Sequence, residues 1–553
     1  MRKIPKGEWT VEGKGIDRKL LDRKFLVGLM ILGVVGVILF EFMLKDVHSF
    51  GVDDSYIFYR YAENVSRGQG FVFNPGEPAG EGFTSWMWLL LLAFFHRIGV
   101  NIVFISKVLG IFFHTVSVSV LYLIIRRLTG EDAPRRSILT AAVLSLIFLL
   151  NYRIIAHSVS GMETALYIFS LLILIYLTTI GLTTDRFQPR WWLVISIASM
   201  AAFLVRPEGI AVGGASLLAL AIKQRRDLRT VKPWLYLVLG LVIPMGLFIA
   251  MKMVVFGYPL PHSFYHKFIR VGNEYNQSFG QFRLFIQTYG WLIVPALVLP
   301  VWAAKSKVSR RYAILYYPAL FLLMVSVYLF FYPAMNYLHR FYIPYVPLLL
   351  MAVSPGVSQV VGKLIRIPKV PVRVAAVALI AAIAVWGTNW DMGKSQQVVK
   401  NWSELVNPSV YRAHLGRLMS MLPRRVVVAN SEMGVIPYYS RLTCIDMAGL
   451  TDPYIAHHGL SMDYLMRRHV DLILFPRKVE TIAPSQWESF GINYKAVFLS
   501  PEFKQNFTCV GAYAAWPGGV NKYYIYVNNA SPDAESIKNW REHVDGEFTG
   551  CKD

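Results

Sequence analysis

Charged residues are scarce in this chain of 553 residues, since they make up 16% of it while hydrophobic residues make up 55%. Soluble domains carry roughly 25% charged residues, so the shortage excludes an ordinary soluble globular protein. The apolar residues lie in long runs, for example over residues 25–43, 102–125 and 235–256. About 20 apolar residues cross a bilayer core of about 30 Å. The sequence therefore predicts a polytopic α-helical membrane protein.

Acidic residues are scarcer still, because 34 Asp and Glu face 56 Lys and Arg and leave a net charge of +22. Such an excess is found in nucleic-acid-binding proteins. Here, however, the basic residues form short clusters between apolar runs, as membrane topology requires. The sequence contains no aromatic-basic RNA motif, no zinc-ligand spacing and no Walker loop. We expect no nucleic-acid partner and no cofactor, and no ligand spacing singles out a metal ion.

Cysteines are also few, and all three lie in the last third of the chain: Cys444, Cys509 and Cys551. An odd number cannot form a complete disulfide framework. A bridge between Cys509 and Cys551 is one alternative if this region lies outside the cytoplasm. Unpaired thiols are the other.

We expect no cleavable signal at the amino terminus. Its first 24 residues are polar and strongly basic. The apolar stretch that follows is longer than a signal-peptide core and lacks an A-x-A cleavage site. We interpret it as an anchor whose amino-terminal side is cytoplasmic.

The positive-inside rule orients the later spans. The apolar stretch Ser85–Phe95 is too short for a span and suits an interfacial or re-entrant helix. If it does not cross, the basic clusters at 126–136, 186–190, 223–232, 305–311 and 363–373 all fall in the cytoplasm. About eleven spans follow, with the amino terminus inside and the carboxyl terminus outside. They lie near residues 25–44, 101–125, 138–156, 163–182, 191–205, 209–223, 234–256, 290–304, 312–332, 341–362 and 374–390.

Three parts of the chain are predicted from this topology. Residues 1–24 form a basic cytoplasmic segment. Residues 25–390 form a transmembrane domain with a first outer loop at 45–100, a long outer loop at 257–289 and short outer turns at 157–162, 206–209 and 333–340. Residues 391–553 contain alternating stretches, such as 425–429 and 471–475, that are typical of buried strands. We expect them to form an extracytoplasmic α/β domain.

Two adjacent carboxylates, Asp53 and Asp54, follow the first predicted span by about ten residues. Adjacent carboxylates repel each other, and a pocket at the membrane edge disfavours charge, so the pKa of one of them is expected to rise. A carboxylate near neutrality is a usable general base for a hydroxyl group. The alternative is a solvated pair at the start of a helix.

Other candidate residues fall on the same predicted outer face. His262, His266 and Lys267 alternate with aromatic residues and suit a phosphate at headgroup level, the alternative being snorkelling cations. Arg206 and Glu208 suit either a functional site or a self-neutralising pair. Asp446 and Asp452 are either substrate contacts or turn and cap residues. The remaining candidates are Tyr56, Arg60, Glu163, His339 and Arg340, with helix capping as the alternative for Glu163.

Eight short motifs occur in a fixed order along the chain. They are DDSYIFYRYA (53–62), GQGFVFNPGE (68–77), EGFTSW (81–86), GMETA (161–165), RPEG (206–209), PLPHSFYHK (259–267), HRF (339–341) and DMAGLTDP (446–453). From about residue 25 to about 460 the chain resembles the GT-C glycosyltransferases, and within them the arabinofuranosyltransferase B-like group. The motif order is fairly specific for the group but not for the sugar.

The resemblance implies transfer of a sugar, with arabinofuranose or another pentose as one candidate, from a polyprenyl-phosphate donor to a cell-envelope glycan or glycolipid. It implies inversion by direct displacement, with Asp53 as general base and Asp54 beside it. Glu163 matches the second acidic position, where other GT-C enzymes commonly have Asp, and Lys267 and Arg340 match positions that bind the donor phosphate.

The implied location is the inner (plasma) membrane, with the active site and the carboxyl-terminal domain on the periplasmic side. Two other functions fit the same topology. One is a transporter or flippase for lipid-linked sugars, which would carry polar groups at mid-span in an internal repeat. The other is a non-catalytic protein on a GT-C scaffold that supports envelope or motility assembly.

Overall fold

Helices dominate the computed structural model, which describes residues 50–130, 134–184, 188–268, 274–303, 308–330, 335–476, 488–489, 492–514 and 522–551. The basic amino-terminal segment and the first predicted span at 25–44 lie outside these residues. The first half of the chain forms α1 Asp53–Ser66, α2 Trp86–Arg97, α3 Ile102–Thr129, α4 Pro134–Leu149, α5 Tyr152–Val159, α6 Thr164–Thr183, α7 Arg190–Val205, α8 Gly209–Lys223 and α9 Val231–Phe256, the last with a π turn at Val238–Val242.

The helices continue through the middle of the chain as α10 His262–Phe268, α11 Glu274–Ala303, α12 Val308–Phe330, α13 Val346–Ile365, α14 Val370–Asn389, α15 Met392–Val406 and α16 Tyr411–Met419. Every span predicted from residue 101 onward lies on one of these helices or on the pair α4 and α5. Six helices of the described residues are long and apolar enough to cross a membrane, and a seventh span results if α4 and α5 are counted together. The total of eleven spans and their orientation stay predictions.

Two boundaries differ from the predicted ones. The pair α4 and α5 is bent by 56°, because the side chain of Asn151 accepts hydrogen bonds from the amides of Arg153 and Ile154 and starts a new helix there. The second half of the predicted outer loop at 257–289 is helical, since α11 begins at Glu274, and the extent of this loop outside the membrane stays a prediction. Phe285 is buried in this half and stacks on Tyr342 at 5.0 Å.

The short apolar helix α2 has 12 residues. At 1.5 Å per residue its length is roughly 18 Å, well below the thickness of a bilayer core. Ser85 caps it by accepting a hydrogen bond from the amide of Trp88, and the indole of Trp88 donates to the carbonyl of Gly161 at 3.0 Å. The length agrees with a helix that does not cross.

A five-stranded sheet organises the carboxyl-terminal region. The remaining elements are β1 Val427–Asn430, α17 Val435–Ser440, β2 Thr443–Asp446, α18 Pro453–His458, α19 Met462–Arg467, β3 Leu472–Phe475, β4 Glu488–Ser489, β5 Ile492–Asn493, α20 Lys495–Phe498, α21 Pro501–Asn506, β6 Phe507–Ala514, β7 Lys522–Asn528 and α22 Ala534–His543. The strand order is β2-β1-β3-β7-β6. Strand β1 pairs in parallel with β2 and β3, whereas β7 pairs antiparallel with β3 and β6.

The two strands predicted at 425–429 and 471–475 are thus confirmed as β1 and β3. Cys509 and Cys551 form a disulfide, and Cys444 is a buried free thiol in β2. The boundary of this region at residue 391 and its side of the membrane stay predictions.

The carboxyl-terminal region covers α1. Arg60 donates hydrogen bonds to the carbonyls of Pro437 and Leu442, and Glu63 forms an ion pair with Arg441. Residues nearly 400 positions apart therefore meet at the first turns of α1, where the predicted Asp pair lies.

Candidate active site

Asp53 lies buried at the start of α1, with 4% of its surface exposed. Its Oδ2 accepts a hydrogen bond from the amide of Gly434 at 3.2 Å, and its Oδ1 accepts one from the amide of Val435 at 3.0 Å. These amides open α17, where unpaired N–H groups suit an anion. A side chain at Gly434 would place its Cβ 2.0 Å from the carbonyl oxygen of Asp53. The close approach of α1 and α17 therefore requires glycine at this position.

The pKa of Asp53 is raised to about 6, chiefly because burial disfavours the charged carboxylate. The guanidinium of Arg412, 3.8 Å away, opposes this rise, while the nearby carboxylate of Glu432 adds to it. Arg412 itself donates to both carboxylate oxygens of Glu432, at 2.8 and 3.0 Å. The expectation of a raised pKa in the Asp pair thus agrees with the structure, and burial is the main cause.

Asp54 faces a different environment, since successive residues of a helix are about 100° apart. About 32% of its side chain is exposed. Its Oδ2 accepts a hydrogen bond from Nη1 of Arg340 at 3.2 Å. The two adjacent aspartates therefore divide their contacts: Asp53 contacts the carboxyl-terminal region, and Asp54 contacts the membrane-domain turn that precedes α13.

Glu163, Arg206 and Arg340 form a largely buried charge cluster with Asp54 and Glu208. We call these five residues the arginine cluster. Oε1 of Glu163 lies 3.6 Å from Arg206 and 3.6 Å from Arg340. Arg206 also donates to Glu208 at 2.7 Å, and the hydroxyl of Tyr328 donates to the same carboxylate. The charged residues of the cluster come from the first turn of α1 and from three breaks between helices.

Several polar atoms of the arginine cluster make no hydrogen bond within the described part of the chain. They are Oε2 of Glu163, Nη1 of Arg206 and Nε of Arg340. Buried polar groups nearly always have a partner, so each exception calls for an explanation such as a water, an ion or a ligand. Two guanidinium donors with spare capacity are suited to phosphate oxygens.

Two residues of α1 that were predicted to bind substrate have mainly protein contacts. All three nitrogens of the Arg60 guanidinium donate to protein acceptors, which include the carbonyl of Phe73 and the side chain of Asn74. These contacts favour a structural role for Arg60. Tyr56 packs against Tyr438 and Tyr439 of α17, and it also lines a cavity described below.

His262 and His339 do not join the arginine cluster. His339 contacts Thr288 at 3.1 Å and packs against Phe285 and Tyr289, so it anchors the turn before α13 to α11. His262 is buried beside His457, with ring centroids 5.4 Å apart, and burial lowers its pKa to about 4. The side chains of His266 and Lys267 lie outside the described residues, so the phosphate role of Lys267 stays a prediction.

Asp446 and Asp452 adopt the turn and cap conformations that were the alternative to substrate contact. Asp446 accepts hydrogen bonds from the amides of Ala448 and Thr451, and burial raises its pKa to about 7. Asp452 caps α18 by accepting from the amide of Ile455 at 3.0 Å. Their geometry favours structural roles.

Several charged residues near the predicted site were missed from the sequence. Arg412 and Glu432 have no distinguishing motif, because their contact with Asp53 depends on the packing of α16 and α17 against α1. Lys252 and Glu81 form a buried ion pair at 2.8 Å. Lys252 did carry a signal, since a single cation inside a predicted span is a candidate functional residue by default. Among the described residues, no group of three or more His, Cys, Asp or Glu is placed to hold a metal ion.

Two family models match separate parts of the chain. The model for dolichyl-phosphate-mannose-protein mannosyltransferase matches residues 83–249, and the model for a domain of unknown function (DUF8728) matches residues 400–526. Each match covers less than a third of the 553 residues. No curated protein matches the chain significantly by sequence.

Solved structures share the fold over nearly the whole chain. ArnT from Cupriavidus metallidurans bound to undecaprenyl phosphate matches with a TM-score of 0.57 and 12% identity, over 92% of this chain and 99% of ArnT. The same protein in the apo state matches with a TM-score of 0.54 and 12% identity, over 90% and 98%. The oligosaccharyltransferase of Archaeoglobus fulgidus in complex with Zn and sulfate matches with a TM-score of 0.51 and 12% identity, over 86% and 69%.

The mannosyltransferase match and these structures support the predicted GT-C fold. At 12% identity the structural likeness shows the fold alone. The arabinofuranosyltransferase B-like group stays a prediction, as do the sugar and the acceptor.

Proposed function

We propose that the protein is a membrane glycosyltransferase that moves a sugar from a polyprenyl-phosphate donor to a cell-envelope glycan or glycolipid. The arginine cluster, formed at one end of a GT-C fold, is the observation that carries this proposal. The mannosyltransferase match supports glycosyltransferase activity. The structure of ArnT with undecaprenyl phosphate supports a polyprenyl-phosphate donor.

The donor phosphate binds Arg206 and Arg340 in this proposal. A polyprenyl phosphate leaves as a stable anion, so catalysis depends on cations that stabilise the leaving group. Guanidinium groups bind phosphate through several charge-assisted hydrogen bonds. Nη1 of Arg206 and Nε of Arg340 are buried donors without a hydrogen-bond partner among the described residues, and Glu163 and Glu208 hold the two guanidinium groups in place.

Asp54 acts as the general base. The acceptor oxygen attacks the anomeric carbon, its proton moves to the Asp54 carboxylate, and the bond to the phosphate oxygen breaks with its electron pair on the phosphate. Attack opposite the leaving group inverts the anomeric centre. One base and one cationic site suffice, in contrast to the two carboxyl groups of most glycoside hydrolases.

This assignment exchanges the roles that the sequence suggested for the two aspartates. A general base must come within hydrogen-bond reach of the proton that it removes. Both oxygens of Asp53 already accept backbone amides, and the residue is buried. Asp54 is partly exposed and touches the arginine cluster. Asp53 therefore serves as a positioning residue that fixes the first turn of α1 on α17.

The position of the charges also favours a transferase over a transporter. Transporters of lipid-linked substrates carry polar groups near mid-membrane, at broken helices related by a repeat. Here the residues of the arginine cluster come from the start of α1 and from helix ends. We place the reaction on the periplasmic side of the inner membrane, with a pentose such as arabinofuranose as the leading candidate for the sugar.

Analysis of the glycans and lipids of a deletion strain tests the proposal. We expect the strain to lose one type of sugar residue from an envelope glycan or glycolipid and to accumulate the matching polyprenyl-phosphate sugar. The wild-type gene should restore the glycan, while the Asp54→Asn gene, expressed at an equal level, should not. Identical glycans in the deletion and parent strains would contradict the proposal.

A further inference from the structure

A cavity of about 310 Å³ lies between α1, the first turns of α3 and the carboxyl-terminal region. Four of its ten lining residues are aromatic, and a lysine and an asparagine are among the others. The residues that matter here are Phe50, Tyr56, Tyr59, Lys107, Asn407 and Tyr439. A volume near 300 Å³ and an apolar and aromatic wall with a few polar groups are typical of small-molecule sites.

Lys107 is an unusual residue for its position. It is the only Asp, Glu, Lys or Arg between Asn101 and Arg126, in a helix apolar enough to cross a membrane. It lies five residues beyond the start of α3, roughly 7.5 Å along the helix. A cation at this depth is costly unless it has a function. Snorkelling to the headgroups is the usual structural reason, but here Lys107 lines a cavity beside tyrosine rings.

The neighbouring stripe of α3 is apolar and exposed. Phe104, Val108 and Phe112 are 63%, 40% and 55% exposed. They recur every four residues and so share one face of the helix. This face adjoins Val103 and Lys107, which line the cavity. A lipid chain on the exposed stripe would therefore place its headgroup next to Lys107.

The aromatic wall gives the headgroup its second contact. Tyr56 and Tyr439 lie with ring centroids 5.9 Å apart, and the hydroxyl of Tyr59 is bound to Ser106 at 2.7 Å. Tyr56 and Tyr59 are buried, whereas Tyr439 is half-buried and offers a flat apolar surface for the C–H face of a sugar ring. Two cavity-lining residues, Gly51 and Tyr56, flank Asp53 and Asp54 in the sequence.

We propose that this cavity binds the headgroup of an anionic glycolipid, with the phosphate on Lys107, the sugar ring against Tyr439, and the lipid chains along Phe104, Val108 and Phe112. Its use as the acceptor subsite rests on the proposed transferase function. In that role the acceptor is delivered from the membrane, and its sugar lies beside the start of α1. The binding of the lipid does not depend on that function.

Lipid binding to the full chain in phosphatidylcholine nanodiscs, measured by native mass spectrometry, tests the proposal. Phosphatidylinositol is the probe, because it joins a ring headgroup to a phosphate and two lipid chains. Galactosyl diacylglycerol lacks the charge, and inorganic phosphate lacks the lipid. We expect phosphatidylinositol to bind best. Lys107→Met should weaken its binding about tenfold, the scale of one charge-assisted hydrogen bond, and Lys107→Arg should restore most of it.

Lys363→Met is the matched control, since Lys363 is an exposed lysine near the end of α13, and it should leave binding unchanged. Tyr439→Ala should weaken phosphatidylinositol more than phosphatidylglycerol, which carries no ring. Equal phosphatidylinositol binding by wild type and Lys107→Met overturns the proposal. So does binding of galactosyl diacylglycerol or inorganic phosphate as tightly as phosphatidylinositol.

The transferase proposal and the lipid-site proposal can each be contradicted without the other. Asp54→Asn should keep phosphatidylinositol binding, because Asp54 does not line the cavity. Binding that depends on Lys107 together with unchanged glycans in the deletion strain would contradict the transferase and support the lipid site. Altered glycans together with phosphatidylinositol binding that does not depend on Lys107 would support the transferase and contradict the lipid site.

Discussion

Arg340 donates a hydrogen bond to Asp54 at 3.2 Å, and so joins two residues that are 286 positions apart. The same guanidinium lies 3.6 Å from Glu163. One cation thus connects the first turn of α1 to the start of α6. The proposed base Asp54 therefore contacts the same guanidinium that belongs to the proposed phosphate site. A substitution at either position should alter the geometry of the other.

Replacing Arg340 by glutamine should raise the donor KM and lower kcat/KM. A hydrogen bond to a charged group contributes about 1.5–3 kcal/mol, which corresponds to roughly a ten- to hundredfold loss. Arg340→Lys should recover part of the activity, because lysine keeps the charge but cannot donate from several nitrogens at once as a guanidinium does. Steady-state kinetics with a labelled polyprenyl-phosphate sugar provide the measurement. Arg467→Gln, which removes an exposed pair with Asp463, is the control and should leave the kinetics unchanged.

Asp54→Asn and Asp53→Asn should have different effects. Loss of a general base lowers kcat by about 10²- to 10⁴-fold, so Asp54→Asn should abolish most turnover and leave thermal stability nearly unchanged. Asp53→Asn should lower the melting temperature, because an amide NH₂ group cannot accept the hydrogen bonds from Gly434 and Val435 that both carboxylate oxygens now accept.

Gly434→Ala tests the position of Asp53 without changing its carboxyl group. It keeps both aspartates but forces α17 away from α1, since its Cβ would meet the backbone of Asp53. We expect it to resemble Asp53→Asn in stability and activity. Normal turnover by Asp54→Asn together with a folded but inactive Asp53→Asn would return the base role to Asp53.

The helical part of the fold was accessible from the sequence because apolar runs and basic clusters are local signals. The span containing residues 138–156 also followed, although the bend at Asn151 did not, since a single capping side chain produces it. The start of α11 inside the predicted loop at 257–289 was not foreseen, because polar residues such as Asn276, Gln277 and Gln281 stand between the aromatic ones and interrupt its apolar run. The strands β1 and β3 followed from their short apolar runs.

The site was only partly accessible, for a physical reason. Asp54, Glu163 and Arg340 were named one by one from motifs and helix ends, and the structure brings them together. The different roles of Asp53 and Asp54 depend on two amides at the start of α17, which lie 381 and 382 positions from Asp53 in the sequence. No local pattern encodes which carboxylate a distant backbone will bury.

The stabilising contributions of Asp53 and Asp446 should fall as pH rises from about 4 to about 7, whereas the lowered pKa of the buried His262 makes its contribution rise between about pH 4 and 6.5. The pKa values of Asp53 and Asp446 are raised by burial from their ordinary value of 3.8 to about 6 and about 7. Between the unfolded and folded pKa values, the folded state binds more protons than the unfolded state, so ionisation favours unfolding. Each group contributes at most about 1.4 kcal/mol per pH unit within its window.

Thermal unfolding of the full chain in nanodiscs across this pH range measures the effect. Asp446→Asn should make the slope less negative between about pH 6 and 7, because Asp446 has the higher pKa of the two aspartates. Asp463 is exposed, so Asp463→Asn is the control and should leave the slope unchanged. An Asp446→Asn protein whose melting temperature follows pH just as the wild type does would contradict the raised pKa of Asp446.

The buried pair of Glu81 and Lys252 yields the last prediction. The two groups lie 2.8 Å apart with almost no exposed surface, and the indole of Trp86 also donates to Glu81. Breaking a buried pair leaves an uncompensated charge and costs about 3–5 kcal/mol. Lys252→Met should therefore lower the melting temperature markedly, and Glu81→Gln should do so as well.

The double variant Glu81→Gln/Lys252→Met should be more stable than Lys252→Met alone, because no charge remains buried without a partner. Lys363→Met, at an exposed lysine, should melt like the wild type. Thermal unfolding of the four variants and the wild type decides between this interaction and a role in substrate binding. If Lys252→Met melts normally but raises the donor KM, Lys252 belongs to the phosphate site rather than to the pair that holds the first loop on α9.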